Sequence, residues 1–180
     1  TSASGFGAGT AIIVNEFGDV ALDQMFIQEK SEETVVLKSG CICCSIRTDL
    51  VSTLMQLATM SDARADPLKR VVIETSGLAD PAPLIQAFLS DPTLAGLYRL
   101  GTVVATVDAV NATQTLDRHV ESVRQVALAD HILLTKLDLL DPARVAAAQA
   151  TLTARLQRLN PAARIAPIGD AALDAPALLR

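Results

Sequence analysis

The sequence lacks the features of a protein that binds nucleic acid. Its formal net charge is −5, only 3% of its residues are aromatic, and it contains no tryptophan. Phosphate backbones are bound by clustered lysine and arginine, and unpaired bases stack on aromatic rings. We therefore expect no nucleic-acid partner.

Long apolar runs are also missing. No run reaches transmembrane length, and Thr1–Ser4 is not a basic segment followed by an apolar stretch. We expect no membrane contact and a reducing cytoplasm, where the three thiols stay reduced. Half of the 180 residues are apolar, so a single domain spanning residues 1–180 can form a core without disulfides.

All three cysteines lie within four positions, as Cys41, Cys43 and Cys44. Thiolates are soft ligands that suit zinc or copper(I), and three of them leave one tetrahedral position for a carboxylate, a water or a receiving protein. Such an open position favours metal transfer or catalysis over a closed structural site. The alternative is that Cys41 and Cys43 are buried packing residues on one face of a strand. A disulfide between neighbours is disfavoured, because their Cα atoms are only about 3.8 Å apart.

Short apolar strands alternate with amphipathic helices along the chain. The predicted strands are 11–14, 34–37, 70–74, 101–107, 131–134 and 164–168. The predicted helices are 46–60, 81–89, 116–128, a long one after Asp141-Pro142, and the tail from Ala171. This alternation predicts an α/β fold, with a mostly parallel sheet flanked by helices and a ligand at the carboxyl ends of its strands.

Polar motifs follow several of these strands. One motif is Thr135-Lys136-Leu137-Asp138. The carboxylate of Asp138 can accept hydrogen bonds from the N1–H and the exocyclic amine of guanine, whereas adenine has no N1–H and no amine at C2. The stem of Lys136 can lie across the base, although an aspartate after a strand can also be a plain helix cap. Glu74 and Gly77 are placed like a magnesium-binding acid and a γ-phosphate-sensing glycine. Glu16 is an acid that could serve magnesium, a transition metal or only solvent.

Four motifs together resemble the CobW-like GTPases, a family similar to the nickel-insertion GTPases of urease and hydrogenase assembly. They are Val14-Asn15-Glu16-Phe17-Gly18, Gly40-Cys41-Ile42-Cys43-Cys44-Ser45-Ile46-Arg47, Glu74-Thr75-Ser76-Gly77-Leu78-Ala79-Asp80-Pro81 and Thr135-Lys136-Leu137-Asp138. The resemblance covers essentially the whole chain, and its motifs occur in the family's order.

The resemblance implies a P-loop GTPase domain that acts as a metallochaperone for zinc, cobalt or a related ion, with a link to cobalamin biosynthesis. It implies GTP or GDP with Mg²⁺ as cofactors and a client metalloprotein or cobalt-insertion machinery as partner, and a homodimer is compatible with it. Implied metal ligands are the three cysteines and Glu16. Glu74, Gly77 and Glu16 are the implied catalytic residues. The implied nucleotide-binding residues are Gly5, Gly7, Gly9, Thr10, Thr135, Lys136 and Asp138.

The chain departs from the family at the phosphate loop. Gly5-Phe6-Gly7-Ala8-Gly9-Thr10 looks like that loop with one residue missing inside it. The lysine before Thr10 and the following helix are missing too, and the family's smaller carboxyl-terminal domain does not follow. Because this lysine is the main cation for the β- and γ-phosphates, either hydrolysis is impaired or the sequence omits pieces of the natural polypeptide. We favour omission, since Thr10 runs directly into a strand.

Two other functions remain as alternatives. One is a metal-binding or zinc-buffering module whose nucleotide site has decayed, which the missing lysine favours. The other is a thiol redox domain that uses Cys41 and Cys43, which would not need the Thr135–Asp138 motif.

Overall fold

The computed structural model describes residues 9–15, 34–36, 45–62 and 67–170. The chain divides into two compact units. The first comprises Thr1–Ser76 and Pro83–Leu100, and the second comprises Gly77–Ala82 and Gly101–Arg180.

The first unit is built on a three-stranded parallel sheet. Its strands β1 (Thr10–Asn15), β2 (Thr34–Val36) and β3 (Arg70–Thr75) lie in the order β2-β1-β3. Its helices are α1 (Ser45–Asp62), α2 (Ala82–Ser90, of which Ala82 belongs to the other unit) and α3 (Pro92–Leu97).

The core of this unit lies between the central strand and two helices. Ala11 and Ile13 point from β1 into it and are fully buried, because alternate residues of a strand face the same side. Leu50, Leu54 and Leu57 of α1 and Leu94 of α3 complete the cluster.

The second unit contains the other parallel sheet. Strands β4 (Val104–Asp108), β5 (His131–Thr135) and β6 (Arg164–Pro167) lie in the order β4-β5-β6. The helices are α4 (Ala112–Arg118), α5 (Val120–Leu128) and α6 (Val145–Leu159), with a 3₁₀ turn at Leu137–Leu139.

Ile132 and Leu134 of β5 pack against Leu116, Val126 and Leu156 from the three helices of the second unit. The predicted α/β class with parallel strands is confirmed. In the described part of the chain, no helix is long and apolar enough to cross a membrane.

The segment predicted as one helix over 116–128 is two helices. At His119 the backbone is extended (φ −121°, ψ 108°), and this residue lies between the end of α4 and the start of α5. The prediction of a continuous helix was wrong because the apolar spacing of Leu116, Val120 and Val123 continues across the break.

Helix α3 was not predicted, although its start is visible in the sequence. Oδ1 of Asp91 accepts hydrogen bonds from the N–H groups of Thr93 and Leu94 (2.9 and 3.2 Å), and Pro92 occupies the first turn. An aspartate followed by proline is a known helix start signal. The predicted strand over 101–107 is shorter at its amino end and begins at Val104. The tail from Ala171 lies outside the described residues.

Candidate functional site

The loop after β5 carries the predicted guanine-reading residues. Lys136 adopts the left-handed conformation (φ 58°, ψ 27°) and is the one non-glycine residue of the described chain with positive φ. This conformation is unfavourable for a residue with a Cβ atom. The backbone then turns into the 3₁₀ segment, where Leu139 N–H donates to the carbonyl of Lys136 (3.2 Å). Asp138 lies in that segment and is exposed.

Asp108, at the end of the neighbouring strand, contacts this loop. Nζ of Lys136 lies 2.9 Å from Oδ2 of Asp108. The two residues meet because β4 and β5 are parallel and Asp108 is paired in register with Thr135. Sequence reasoning missed this ion pair, because Asp108 and Lys136 are 28 positions apart and only the strand register brings them together.

Asp108 accepts hydrogen bonds on both carboxylate oxygens. Oδ1 accepts from the N–H groups of Val110 (2.9 Å) and Asn111 (3.3 Å), and Oδ2 accepts from Nδ2 of Asn111 (2.9 Å). The hydrogen bond from Lys136 is the main cause that lowers the pKa of Asp108 to about 2, while partial burial acts in the opposite direction. The carboxylate is therefore ionised at physiological pH.

Thr135, the first residue of the predicted guanine motif, belongs to β5 itself. Its Oγ1 donates to the carbonyl of Val107 (3.3 Å), and its own carbonyl accepts from the N–H of Ala109 (3.0 Å). These contacts tie the end of β5 to the end of β4. In the described structure, Thr135 therefore supports the loop that carries Lys136 and Asp138.

Gly77 lies in a loop that α5 holds in place. Nε2 of Gln125 donates to the carbonyls of Gly77 (3.1 Å) and Ala79 (2.8 Å), and Arg124 pairs with Asp80. A Cβ atom added to Gly77 would meet nothing within 4 Å, and its φ lies outside the left-handed region. Nothing in this conformation requires glycine at position 77, so local packing does not explain the residue.

Gly77 and Asp108 line the same cavity of about 160 Å³ in the second unit. Gln125 and Thr115 contribute polar groups to its wall, and Val107, Leu116 and Val126 are among its apolar lining residues. Pockets for drug-sized ligands start at about 300 Å³. The cavity alone is too small for a nucleotide. It is nevertheless lined by both Gly77, the predicted γ-phosphate residue, and Asp108, the ion-pair partner of Lys136.

The structure does not bring Gly9 and Thr10 together with Glu74. Gly9 immediately precedes β1, and Thr10 is paired with Arg70, at the amino ends of both strands. Glu74 is paired with Val14, four residues further along, which is about 13 Å at roughly 3.3 Å per residue. Gly9 and Thr10 therefore lie at the opposite end of this sheet from Glu74, which is exposed.

Gly9 has a clear structural role where it lies. Its φ is +90°, and an added Cβ would come within 3.2 Å of the carbonyl oxygen of Pro67. Its own carbonyl accepts hydrogen bonds from the N–H groups of Lys69 (2.7 Å) and Arg70 (3.1 Å). These contacts explain the glycine without a phosphate.

The predicted metal site falls outside the described residues. Cys41, Cys43, Cys44 and Glu16 all belong to segments that the structure does not describe, as do Gly5 and Gly7. Within the described ranges, no group of three or more histidine, cysteine, aspartate or glutamate residues could hold a metal ion. The metal ligands and the first two glycines of the phosphate loop remain predictions.

Comparison with known proteins identifies relatives along most of the chain. Residues 4–167 match the family described as CobW/HypB/UreG, nucleotide-binding domain. The zinc chaperone YjiA of Escherichia coli K12 is 38% identical over 164 residues, which cover 91% of this chain and 50% of YjiA. The zinc-regulated GTPase metalloprotein activator 1 of Schizosaccharomyces pombe is 29% identical over 153 residues, covering 81% of this chain and 36% of that protein.

A solved structure agrees with these relationships. The crystal structure of a Zn(II)-bound triple mutant of the YjiA GTPase matches this chain with a TM-score of 0.69 at 29% sequence identity. The match covers 97% of this chain and 52% of the YjiA chain. The chain thus spans about half the length of the YjiA protein that it matches.

Proposed function

The chain belongs to the CobW/HypB/UreG family of nucleotide-binding domains, and from this membership we propose that it is the GTP-binding and GTP-hydrolysing domain of a metallochaperone. In this proposal the domain binds zinc, or cobalt as a related ion, through Cys41, Cys43 and Cys44, and it delivers the ion to a client metalloprotein. The names of its relatives, a zinc chaperone and a zinc-regulated GTPase metalloprotein activator, support zinc as the cargo. Reduced thiolates persist in the cytoplasm, so we propose that transfer takes place there.

The observation that carries the nucleotide part is the loop after β5. Lys136 is held in a left-handed backbone conformation beside the end of β4, and Asp138 is exposed two residues later. An exposed carboxylate in this loop can accept the N1–H and the amine of guanine, while the lysine stem covers the face of the base. Adenine would leave the carboxylate without either hydrogen bond, and an unpaired charged group in a binding site costs about 1–3 kcal/mol.

The remaining proposed roles concern the phosphates. The N–H of Gly77 would donate to the γ-phosphate, and the lack of any local packing reason for glycine at this position supports a role in another conformation of the loop. Glu74 offers an exposed carboxylate, an oxygen ligand of the kind that Mg²⁺ prefers. Magnesium would neutralise developing charge on the β- and γ-phosphates.

A second candidate function is a metal-binding module that does not hydrolyse GTP. Gly9 and Thr10 lie at the amino end of their sheet, whereas Glu74 lies toward its carboxyl end. The family's phosphate-loop lysine and the helix after it are missing between Gly9 and β1. Gly9 and Thr10 therefore cannot contact phosphates that are bound beside Glu74. This placement favours impaired hydrolysis in the chain as its sequence stands.

Calorimetric titration of the chain with GDP, GTP, ADP and ATP in the presence of magnesium tests the proposal. We expect GDP to bind at least tenfold more tightly than ADP or ATP, since Asp138 pairs only with guanine. Equal affinity for guanine and adenine nucleotides would contradict the guanine site. GDP binding with negligible GTP hydrolysis would select the second candidate function.

A further inference from the structure

We propose that Asp108 is a positioning residue of the guanine site, which holds the side chain of Lys136 across the place where the base binds. This inference rests on the proposed function, because it concerns the same nucleobase site. It assigns a role to a residue outside the Thr135–Asp138 motif, on a different strand, and it predicts how that residue contributes to affinity.

The first argument is that the Asp108 carboxylate is fixed before any ligand arrives. Three of its hydrogen bonds come from its own turn, namely from the N–H groups of Val110 and Asn111 and from the Asn111 side chain. These bonds set the rotamer of Asp108, and Oδ2 still accepts from Nζ of Lys136 at 2.9 Å. Lys136 therefore binds to an anchor that is already in place.

The second argument comes from the backbone of Lys136. Its left-handed conformation is unfavourable for a residue with a Cβ atom, so the surrounding structure must maintain it. The chain turns at this residue, and the side chain reaches the end of β4 instead of continuing along β5. The stem is thereby held at both ends, by the turn at the backbone and by Asp108 at the ammonium group.

The third argument concerns the cost of ordering a lysine. The Lys136 side chain is 54% exposed, and a free lysine of this kind loses much rotamer freedom when it packs on a ligand. Immobilisation in advance lowers that cost and so raises affinity. Because an aliphatic stem contacts any purine face, Asp108 should raise the affinity for all bases in this site by the same factor, whereas Asp138 selects guanine.

The test uses GMP, IMP and AMP, which need no phosphate-loop lysine. Each is titrated into the isotope-labelled chain and followed by NMR. The variants are Asp108→Asn, Lys136→Met and the double variant. Asparagine retains the Oδ1 that caps the turn but loses the charge and the Oδ2 that accepts from Lys136 and from the Asn111 side chain. Methionine retains an aliphatic stem without the ammonium group. Asp91→Asn is the matched control, since Oδ1 of Asp91 caps α3 with the same pair of backbone donors, two and three residues on.

We expect Asp108→Asn to weaken GMP binding about two- to fivefold, the range for an exposed ion pair, and to weaken IMP binding by the same factor. In the Lys136→Met background, Asp108→Asn should have no further effect, because Asp108 acts only through that ammonium group. The Asp91→Asn variant should bind both ligands like the unaltered chain.

Additive effects of Asp108→Asn and Lys136→Met would overturn the positioning role, and so would a change in the ratio of GMP to IMP affinity on Asp108→Asn. If instead the unaltered chain bound GMP no better than AMP, the guanine site itself would be contradicted, and the role of Asp108 with it. The relative affinities of the unaltered chain for GMP and AMP thus distinguish a failure of the guanine site from a failure of the positioning role.

Discussion

At the scale of single residues, the proposed function makes Asp138 the residue that selects the base. Its carboxylate is exposed in a short 3₁₀ turn directly after β5, so a base can approach it from solvent. A charged acceptor pairs with two donors on guanine and with none at the corresponding edge of adenine. In this proposal, selectivity depends on the two carboxylate oxygens and on the loop that presents them.

Replacement of Asp138 by asparagine should reverse the base preference. Asparagine retains one acceptor for N1–H, but its amide would face the amine of guanine, whereas the C2 carbonyl of xanthine would accept from that amide. We expect GDP affinity to fall tenfold or more and XDP affinity to rise, as measured by calorimetry. Asp141→Asn, in the next turn of the chain, is the control and should leave both affinities unchanged. Unaltered GDP binding by the Asp138→Asn variant would show that this residue does not read the base.

Sequence reasoning could propose Lys136 and Asp138 as base-reading residues because both lie in one short motif after an apolar strand. It could not identify Asp108 as a partner of Lys136. That contact depends on the parallel pairing of β4 with β5, which aligns Asp108 with Thr135. It also depends on a left-handed turn at Lys136 that nothing in the local sequence demands.

At the scale of secondary structure, the strands were the most predictable elements. Apolar runs placed β1, β3 and β5 to within one or two residues, because the side chains of a strand in a parallel sheet are largely buried. The break at His119 was not predictable, since helical apolar spacing persists on both sides of it. The sequence did predict that Thr10 runs directly into a strand, and Gly9 immediately precedes β1. The distance of Gly9 from Glu74 along the sheet follows only from the pairing of Thr10 with Arg70.

Asn160 connects three elements of the second unit. This residue is buried, and its Nδ2 donates to the carbonyls of Val126, Ala127 and Ala129 at the end of α5 (2.8–3.2 Å). Its Oδ1 accepts from the N–H groups of Ala162 and Ala163, just before β6 (3.2 and 3.1 Å). One side chain thus forms hydrogen bonds with backbone groups that precede β5 in the sequence and with backbone groups that follow it.

We expect Asn160→Ala to lower the free energy of unfolding by about 2–4 kcal/mol, because several backbone groups lose their partner in a buried place. Asn160→Asp should be at least as destabilising at neutral pH, since its charge would face carbonyl oxygens, and less so at low pH where the carboxyl is protonated. Urea unfolding followed by circular dichroism measures both. Gln157→Ala, at an exposed position of α6, should change stability by less than about 0.5 kcal/mol. A similarly small effect of Asn160→Ala would contradict this role.

At the scale of the whole molecule, the proposed function needs a metal site as well as a nucleotide site. The three cysteines lie directly before α1, whose first residue is Ser45. From this position in the sequence we predict that backbone N–H groups and the helix dipole favour the thiolate form, which is the form that binds metal. Zinc has no visible spectrum, so cobalt(II) is the suitable probe.

We expect one cobalt(II) ion per chain, with sulfur-to-metal charge-transfer absorption and the intense visible bands of tetrahedral coordination. Replacement of Cys43 and Cys44 by serine together should abolish both features, because at most one thiolate ligand would remain. His119→Gln, at an exposed position between α4 and α5, is the control and should retain the spectrum. A spectrum that survives the double cysteine change would show that these residues are structural.

The most direct test of a nucleotide-gated metallochaperone is the zinc affinity of the chain in two nucleotide states. It is measured by competition with a chelating dye, once with GDP and once with a non-hydrolysable GTP analogue, both with magnesium. A chaperone that releases its ion on hydrolysis should bind zinc more tightly with the GTP analogue, by about 5- to 150-fold for a coupling of 1–3 kcal/mol, and zinc should raise the affinity for the analogue by the same factor. Equal zinc affinities in the two states would contradict gated metal transfer and would leave a metal site and a nucleotide site that do not communicate.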